Sequence, residues 1–346
     1  MNNPTLTEML RFMRPEGSEH QRIFCESFIE PIFGKPVDEH GNYVHIIGDE
    51  DGDSPTVAFT AHHDTVHKHE GIQYVHVSAD KIATAPQSDC LGADCTTGVW
   101  LILQMIRAGV PGFYVIHGGE EVGCIGSSNF VKDRGDYLKN LDAVISFDRR
   151  GVRDIITHQM GARTASDNFA ESLAAILVDD MLAPSSNGAY TDSNEYADIV
   201  PECTNLAVGY YNQHTKQECQ DLTYAYSLAK RLIEADWSKL VIERDPDEID
   251  YSGGFYGTGG SYKRWSNYRY EDDDIFDYTL GGKKSQQTGS TYNVYLLQAL
   301  LFDYSDEVAD LLDDWGITYE NVVDELISAN PNLAHALANR YGQGRV

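Results

Sequence analysis

The sequence predicts an α/β protein, with a mostly parallel mixed central sheet flanked by helices and a small all-α appendage at the C-terminus. Three observations carry that expectation. Short apolar runs with strand period alternate with segments of helical period through residues 1–244. Gly, Pro, Asp and Ser clusters punctuate the changes of period. His, Asp and Glu recur where the strand-like runs stop, which is where an open α/β sheet binds its ligands.

The elements follow in order. Thr5-Leu6-Thr7-Glu8 is a capping box, and Leu6, Met9, Leu10 and Met13 repeat at helical spacing, so a first helix should end near Pro15. Ser18, with Gln21 three residues on, opens a second helix whose stripe of Ile23, Phe24, Phe28 and Ile29 stops before Pro31. Strands are expected at 43–47 and 56–62, and a hairpin at 72–77 and 81–85. In the run 96–108, Val99, Trp100, Leu103 and Ile106 share one side, as in a buried crossover helix. A strand at 112–117, a helix at 127–131, strands at 143–147 and 155–157, a helix at 166–178, a strand at 204–210 and a long amphipathic helix at 222–241 complete the alternation.

Beyond residue 244 the pattern changes. Residues 245–290 are rich in Gly, Tyr and Asp and lack either period, which reads as a linker or arm; 291–346 regain helical spacing, which reads as a small helical domain. The chain has 54 acidic against 26 basic residues, a formal net charge of −28, so binding to nucleic acid or to an anionic membrane is not expected. No apolar run approaches the roughly 20 residues of a membrane span. With no signal-peptide core at the N-terminus and no CxxC among six cysteines, the thiols read as reduced and the location as cytoplasmic.

The chemistry gathers around Phe59-Thr-Ala-His62-His63-Asp64-Thr-Val66. With period two, His62 and Asp64 share a side, so the carboxylate can accept the second imidazole N–H; His63 points the other way. Asp94 lies in a Gly-containing loop leading into a helix. Glu120 and Glu121 follow the strand 112–117, Asp148 follows 143–147, and His214 follows 204–210. Two imidazoles and three carboxylates, with one Glu to spare, suit a pair of divalent ions and a nearby free base. Such N/O donors favour zinc, with cobalt or manganese as alternatives.

The motifs HHDTV, LGADCTTG, GGEEVGCIGS, SFD and NQHTKQE together resemble the successive metal-site motifs of the co-catalytic zinc exopeptidases, across residues 5–243. The resemblance implies that His62 and Asp148 bind one metal, Glu121 and His214 the other, and that Asp94 bridges them. It further implies that Asp64 orients His62 and that Glu120 is the general base. Cys95 departs from the family, which usually has Asp or Asn there. The short interval between Asp148 and His214 fits the compact, lid-free aminopeptidase branch, whose substrate loop the stretch Tyr190-Thr-Asp192-Ser-Asn-Glu195 resembles; Asp192 is thereby a candidate substrate contact.

The implied activity is an aminopeptidase acting on short peptides. A carboxypeptidase or N-acyl-amino-acid deacylase is the alternative, and would need a cation such as Arg149 or Arg150 to clamp a substrate carboxylate. Those arginines could equally neutralise the acids around them. An inactive, metal-stabilised scaffold is the reading from another class, and an intact Glu120 argues against it. His67 and His69 read as solvated loop residues, and His117 and His158 as satisfied core groups.

Overall fold

A seven-stranded sheet organises the computed structural model, which describes residues 4–48 and 54–248. Its strands are β1 (Tyr43–Ile47), β2 (Val57–His62), β3 (Gly112–His117), β4 (Ala143–Arg149), β5 (Asp154–Ile156), β6 (Ala183–Ser185) and β7 (Glu202–Ala207). They lie in the order β6-β5-β7-β4-β2-β3-β1. The central strands β7, β4, β2 and β3 run parallel, while β1 pairs antiparallel with β3 and β7 antiparallel with β5. The carboxyl ends of β2, β3 and β4 therefore open on one edge. The expected linker and C-terminal helical domain lie outside the described residues, apart from 245–248.

Period two divides the side chains of this sheet between two cores. Phe59 and Ala61 of β2, Tyr114 and Ile116 of β3, and Ala143, Ile145 and Phe147 of β4 pack against α1 (Ala93–Arg107), the N-terminal segments and a long C-terminal helix at Leu222–Glu234. The Phe59 ring stacks between Tyr114 and Phe147, with centroids 5.3 and 5.9 Å away. Ala58, Phe113, Val115 and Val144 point to the opposite face, where α2 (Ile125–Leu138) and the short helix α4 (Asp192–Tyr196) cover them with Phe130, Leu138 and Tyr196. The remaining helix, α3 (Asp167–Ile176), is capped by Ser166, whose hydroxyl accepts from Phe169 N–H.

Helix α1 lies unusually close to the sheet. A Cβ on Gly98 would come 2.3 Å from the carbonyl oxygen of Phe147 and 3.0 Å from Ala61 Cβ. Only a residue without a side chain lets the helix approach β2 and β4 so tightly.

Several boundaries differ from the sequence expectation. The first helix is a single turn, Leu6–Met9, after which Phe12–Met13 extends to pair with Gly71–Ile72. The extension delivers Arg14 to the interior, where its Nε donates to the His63 carbonyl at 2.7 Å and its guanidinium lies 4.1 Å over the Phe24 ring. Pro31 does not end the second helix. A π-helical turn, Cys25–Ile29, intervenes, and Pro31 falls in the first turn of a new segment, Glu30–Phe33, where its missing N–H has no partner to lose.

Only residues 76–77 and 82–84 of the expected hairpin pair with each other, in a four-stranded side sheet with 210–211 and 219–221. Helix α2 outruns the expected 127–131 because its C-terminal half carries little apolar signal. The helix expected over 222–241 stops at Glu234, and a 3-10 turn, Trp237–Lys239, follows. All six cysteines are free. Among the described residues no helix is long and apolar enough to cross a membrane.

Candidate metal centre

Four of the proposed donors follow strand ends, and Asp94 opens α1. β2 ends in His62, and Asp64 follows two residues later. Asp64 accepts backbone N–H bonds from Glu120 at 3.2 Å and Glu121 at 3.0 Å, and its Oδ1 lies 3.3 Å from His62 Nδ1. One buried carboxylate thus orients the imidazole and pins the turn after β3 that carries both glutamates. Burial opposes the Asp64 charge, but His62, His63 and the Glu121 N–H hold its carboxyl below the ordinary value.

Asp148 is aimed by a bulge. Between the pairs Asn205↔Ser146 and Ala207↔Arg149, β4 carries one residue more than β7, so the strand kinks at Phe147-Asp148. The backbone groups of Asp148 are taken up by the Asn205 amide, its N–H donating to Oδ1 and its carbonyl accepting from Nδ2, both at 2.9 Å. Thr191 donates its hydroxyl to Asp148 Oδ2 at 2.8 Å, and Tyr210 donates to Asp148 Oδ1 at 3.3 Å.

These pieces converge on Asp94, whose two oxygens face different partners. His62 Nε2 lies 3.1 Å from Asp94 Oδ1 and 3.5 Å from Asp148 Oδ1. His214 Nε2 lies 3.3 Å from Asp94 Oδ2 and 3.2 Å from Glu121 Oε2. Tetrahedral zinc with bonds of about 2.0–2.2 Å spaces neighbouring donors by about 3.3–3.6 Å, the edge of the tetrahedron, so the donor set fits such an ion on either side of Asp94. His214 Nε2 and Glu121 Oε1 are buried and aligned in no hydrogen bond among the described residues, which also suits donors that meet a cation.

Charge tells the same story. Asp64, Asp94, Glu120, Glu121, Asp148 and Asp192 crowd the two imidazoles. Burial, with Asp94 adding repulsion, pushes Asp148 up to about 6 and Glu121 up to about 7. Burial also lifts Glu120 well above the usual carboxylate range, although His62 opposes the shift. For Asp94 burial works in the same direction, but the facing imidazoles of His214 and His62 overcome it and keep the carboxyl low. Bound cations relieve the repulsion within such a cluster.

Glu120 stands beside the pair of donor sets. Its Oε2 is 3.9 Å from His62 Nε2, and its Oε1 is 3.7 Å from the Cys124 thiol. Cys95 lies beneath the centre, fully buried, with its Sγ donating to the Phe147 carbonyl at 3.1 Å, and burial raises its thiol well above the ordinary value. The backbone at Asp94 and Cys95 is non-helical at the very start of α1.

The chain carrying these motifs matches the sequence model of Peptidase family M28 over residues 42–197. Its fold is similar to a tripeptidase from Staphylococcus aureus, at 17% identity and a TM-score of 0.54, over 66% of this chain and 95% of that one. It is also similar to the aminopeptidase PepT from Bacillus cereus, at 15% identity and a TM-score of 0.50, over 66% and 95%. The TET1 peptidase of Pyrococcus horikoshii is a third such structure, at 14% identity and a TM-score of 0.50, over 66% and 98%. The family match over residues 42–197 and the shared fold are consistent with the co-catalytic zinc exopeptidase superfamily. No curated protein matches it. The M28 match and the fold together support a metal-dependent hydrolase of the peptidase class.

Within this fold, the segment between Asp148 and His214 builds β5, α3, β6, α4 and β7 rather than a separate domain. Arg149 is turned away from the acids: its Nε and Nη2 donate to Asp154 Oδ2 at 2.9 and 2.7 Å. Arg150 is exposed. Asp192 is buried at the start of α4, with Oδ1 accepting from Ser127 at 2.5 Å and burial raising its carboxyl to about 7.

His63 packs away from the centre, with Nε2 3.0 Å from the Gly41 carbonyl. His117 is a satisfied core group between Asn42 and Tyr196. His158 is buried beside the Thr157 hydroxyl at 3.0 Å. His69 is exposed as expected. His67 is not a solvated loop residue: it is 2% exposed, held by Thr65 at 2.8 Å and Gln73 at 3.3 Å.

Sequence reasoning assigned no role to Glu218, Asn205, Thr191 or Tyr210, all of which support the centre. Glu218 shares a loop with His214 and carried the one readable signal, a carboxylate in an otherwise polar loop beside an expected ligand. Its carboxylate accepts four backbone N–H bonds, from Leu91 and Gly92 to Oε2 at 2.8 and 2.9 Å and from Ala93 and Asp94 to Oε1 at 2.8 and 3.2 Å. Gly92, at φ 71° and ψ 32°, gives this stretch the left-handed step that turns successive N–H groups inward.

Proposed function

We propose that the protein is a two-ion aminopeptidase of short peptides. His62 and Asp148 hold one ion, Glu121 and His214 hold the other, and Asp94 is shared between them. The reading rests on one observation above all: the two oxygens of Asp94 divide the donors into two His-plus-carboxylate sets of matching spacing. The donor chemistry favours zinc.

When bound, such ions lower the pKa of a water and polarise the scissile carbonyl. The residues of this chain supply the remainder. Glu120, which is outside both donor sets, takes the proton of the attacking water and passes it to the nitrogen of the leaving amine. Asp64 keeps His62 in the tautomer that presents Nε2 as a donor, and holds Glu120 and Glu121 in divergent directions from one turn. Thr191, Asn205 and Tyr210 hold Asp148. A clamp for a substrate carboxylate is the element a carboxypeptidase needs, and the pairing of Arg149 with Asp154 weighs against that alternative.

The test pairs elemental analysis of gently purified protein with hydrolysis of an amino-acid anilide before and after chelation. Two ions per chain and chelator-sensitive release of the anilide are expected. Preference for an N-acylated peptide over its free-amine counterpart would overturn the aminopeptidase assignment.

A further inference from the structure

We infer that Glu218 is a positioning residue that sets the bridging carboxylate and couples it to the ion shared by Glu121 and His214; the inference rests on the two-ion reading above. Asp94 sits where an irregular loop becomes α1, and its own N–H is one of the four that Glu218 receives. All four donors belong to consecutive residues, Leu91 to Asp94, at the amino end of a 15-residue helix whose dipole also favours an anion there. The Glu218 carboxylate is 1% exposed and spends both oxygens on this single stretch.

Glu218 also belongs to the turn that presents His214. The turn is closed by the Glu218 N–H donating to the Thr215 carbonyl at 3.1 Å and runs directly into residues 219–221, which pair with 82–84 in the side sheet. One side chain therefore ties the loop that carries Asp94 to the loop that carries His214. The ion site of Asp94, Glu121 and His214 has two of its three donors on segments joined by Glu218. The site of His62, Asp148 and Asp94 has one. Loosening the joint should weaken the first site more than the second.

The test is a zinc titration of chelator-stripped protein by calorimetry, comparing wild type with Glu218→Gln, alongside circular dichroism of the metal-free forms. A Gln offers one acceptor oxygen and places an NH2 group against two of the backbone donors. The variant should keep the wild-type fold and one ion affinity, while the other falls by about 10- to 100-fold, the usual effect of losing support behind a ligand. In His214→Ala, which lacks a donor of the same site, adding Glu218→Gln should change little further.

Equal weakening of both affinities would mean a merely structural role and would overturn the inference. So would two unchanged affinities. Should Glu218→Gln fail to fold, Glu218→Asp, which keeps the charge but withdraws it by one methylene, gives the same comparison. Wild type taking fewer than two ions would instead bring down the two-ion reading, and this inference with it.

Discussion

Replacing Asp64 by Asn changes one oxygen to NH2 and leaves the volume alone, so it tests the electrostatic joint behind His62 directly. Asp64 accepts the Glu120 N–H at 3.2 Å and the Glu121 N–H at 3.0 Å, and its charge faces a third polar neighbour, His62 Nδ1, at 3.3 Å. In the better amide orientation the oxygen keeps the first and third, and the NH2 faces the Glu121 N–H, donor against donor. Losing one bond to a charged acceptor costs about 1.5–3 kcal/mol, and the two survivors weaken because a neutral acceptor is about half as strong. The total is about 3–5 kcal/mol.

For a domain of this size each kcal/mol moves the melting temperature by about 2–4 °C, so thermal unfolding of the metal-free variant should fall by on the order of 10 °C. Zinc affinity should fall with it, by about 10- to 100-fold. Differential scanning calorimetry and a chelator competition measure the two effects separately. A variant melting within a degree of wild type, with unaltered zinc affinity, would refute the role given to Asp64.

Further outcomes follow from the same geometry. Glu120→Gln should retain the full complement of ions by elemental analysis while losing turnover by about 10²–10⁴-fold, the usual share of a general base. Gly98→Ala places a methyl 2.3 Å from the Phe147 carbonyl oxygen, so α1 must lift from the sheet, and urea unfolding should show a loss of about 1–3 kcal/mol or more. Removing the ions should lower the melting temperature, since each ion at a hundredfold excess over its dissociation constant stabilises by about 2.7 kcal/mol; calorimetry with and without chelator reads this. Burial holds His117 down to about 3, and an unfolded chain protonates the same ring near pH 6.5, so acid favours unfolding. Stability present above pH 6.5 is lost as pH falls toward 3. Between pH 6.5 and 5 His117 accounts for about 2 kcal/mol, which His117→Gln should remove from the difference between urea titrations at pH 7 and pH 5.

The central sheet was legible because β2, β3 and β4 are nearly continuous buried runs, and such runs have few alternatives to a parallel strand. The short edge strand β6 was not: Ala183-Pro184-Ser185 has no apolar period, and Pro is tolerated there only because the strand lies at the edge. Likewise α4 is a single turn behind Thr191, too short to show a stripe. The site residues could be read as a set because each sits just past an apolar run. What lies behind them depends on contacts between distant segments, such as Asn205 bracketing a bulge or Glu218 reaching a loop far upstream, and no local pattern encodes those. His67 was misread for the same reason: the Gly92 backbone of a loop downstream packs so closely on its ring that a Cβ there would come 2.7 Å from it.

Delivery of the donors from separate segments of the chain has a bearing on how the protein matures. Among the described residues no hairpin or helix holds more than a fragment of either proposed donor set, so an ion gains its grip only once β2, β3, β4, the head of α1 and the loop after Tyr210–Tyr211 have come together. Metal capture is then a closing step, with no part in nucleating the sheet. Chelator-stripped protein should accordingly keep the far-UV circular dichroism of the folded chain and take up its ions afterwards.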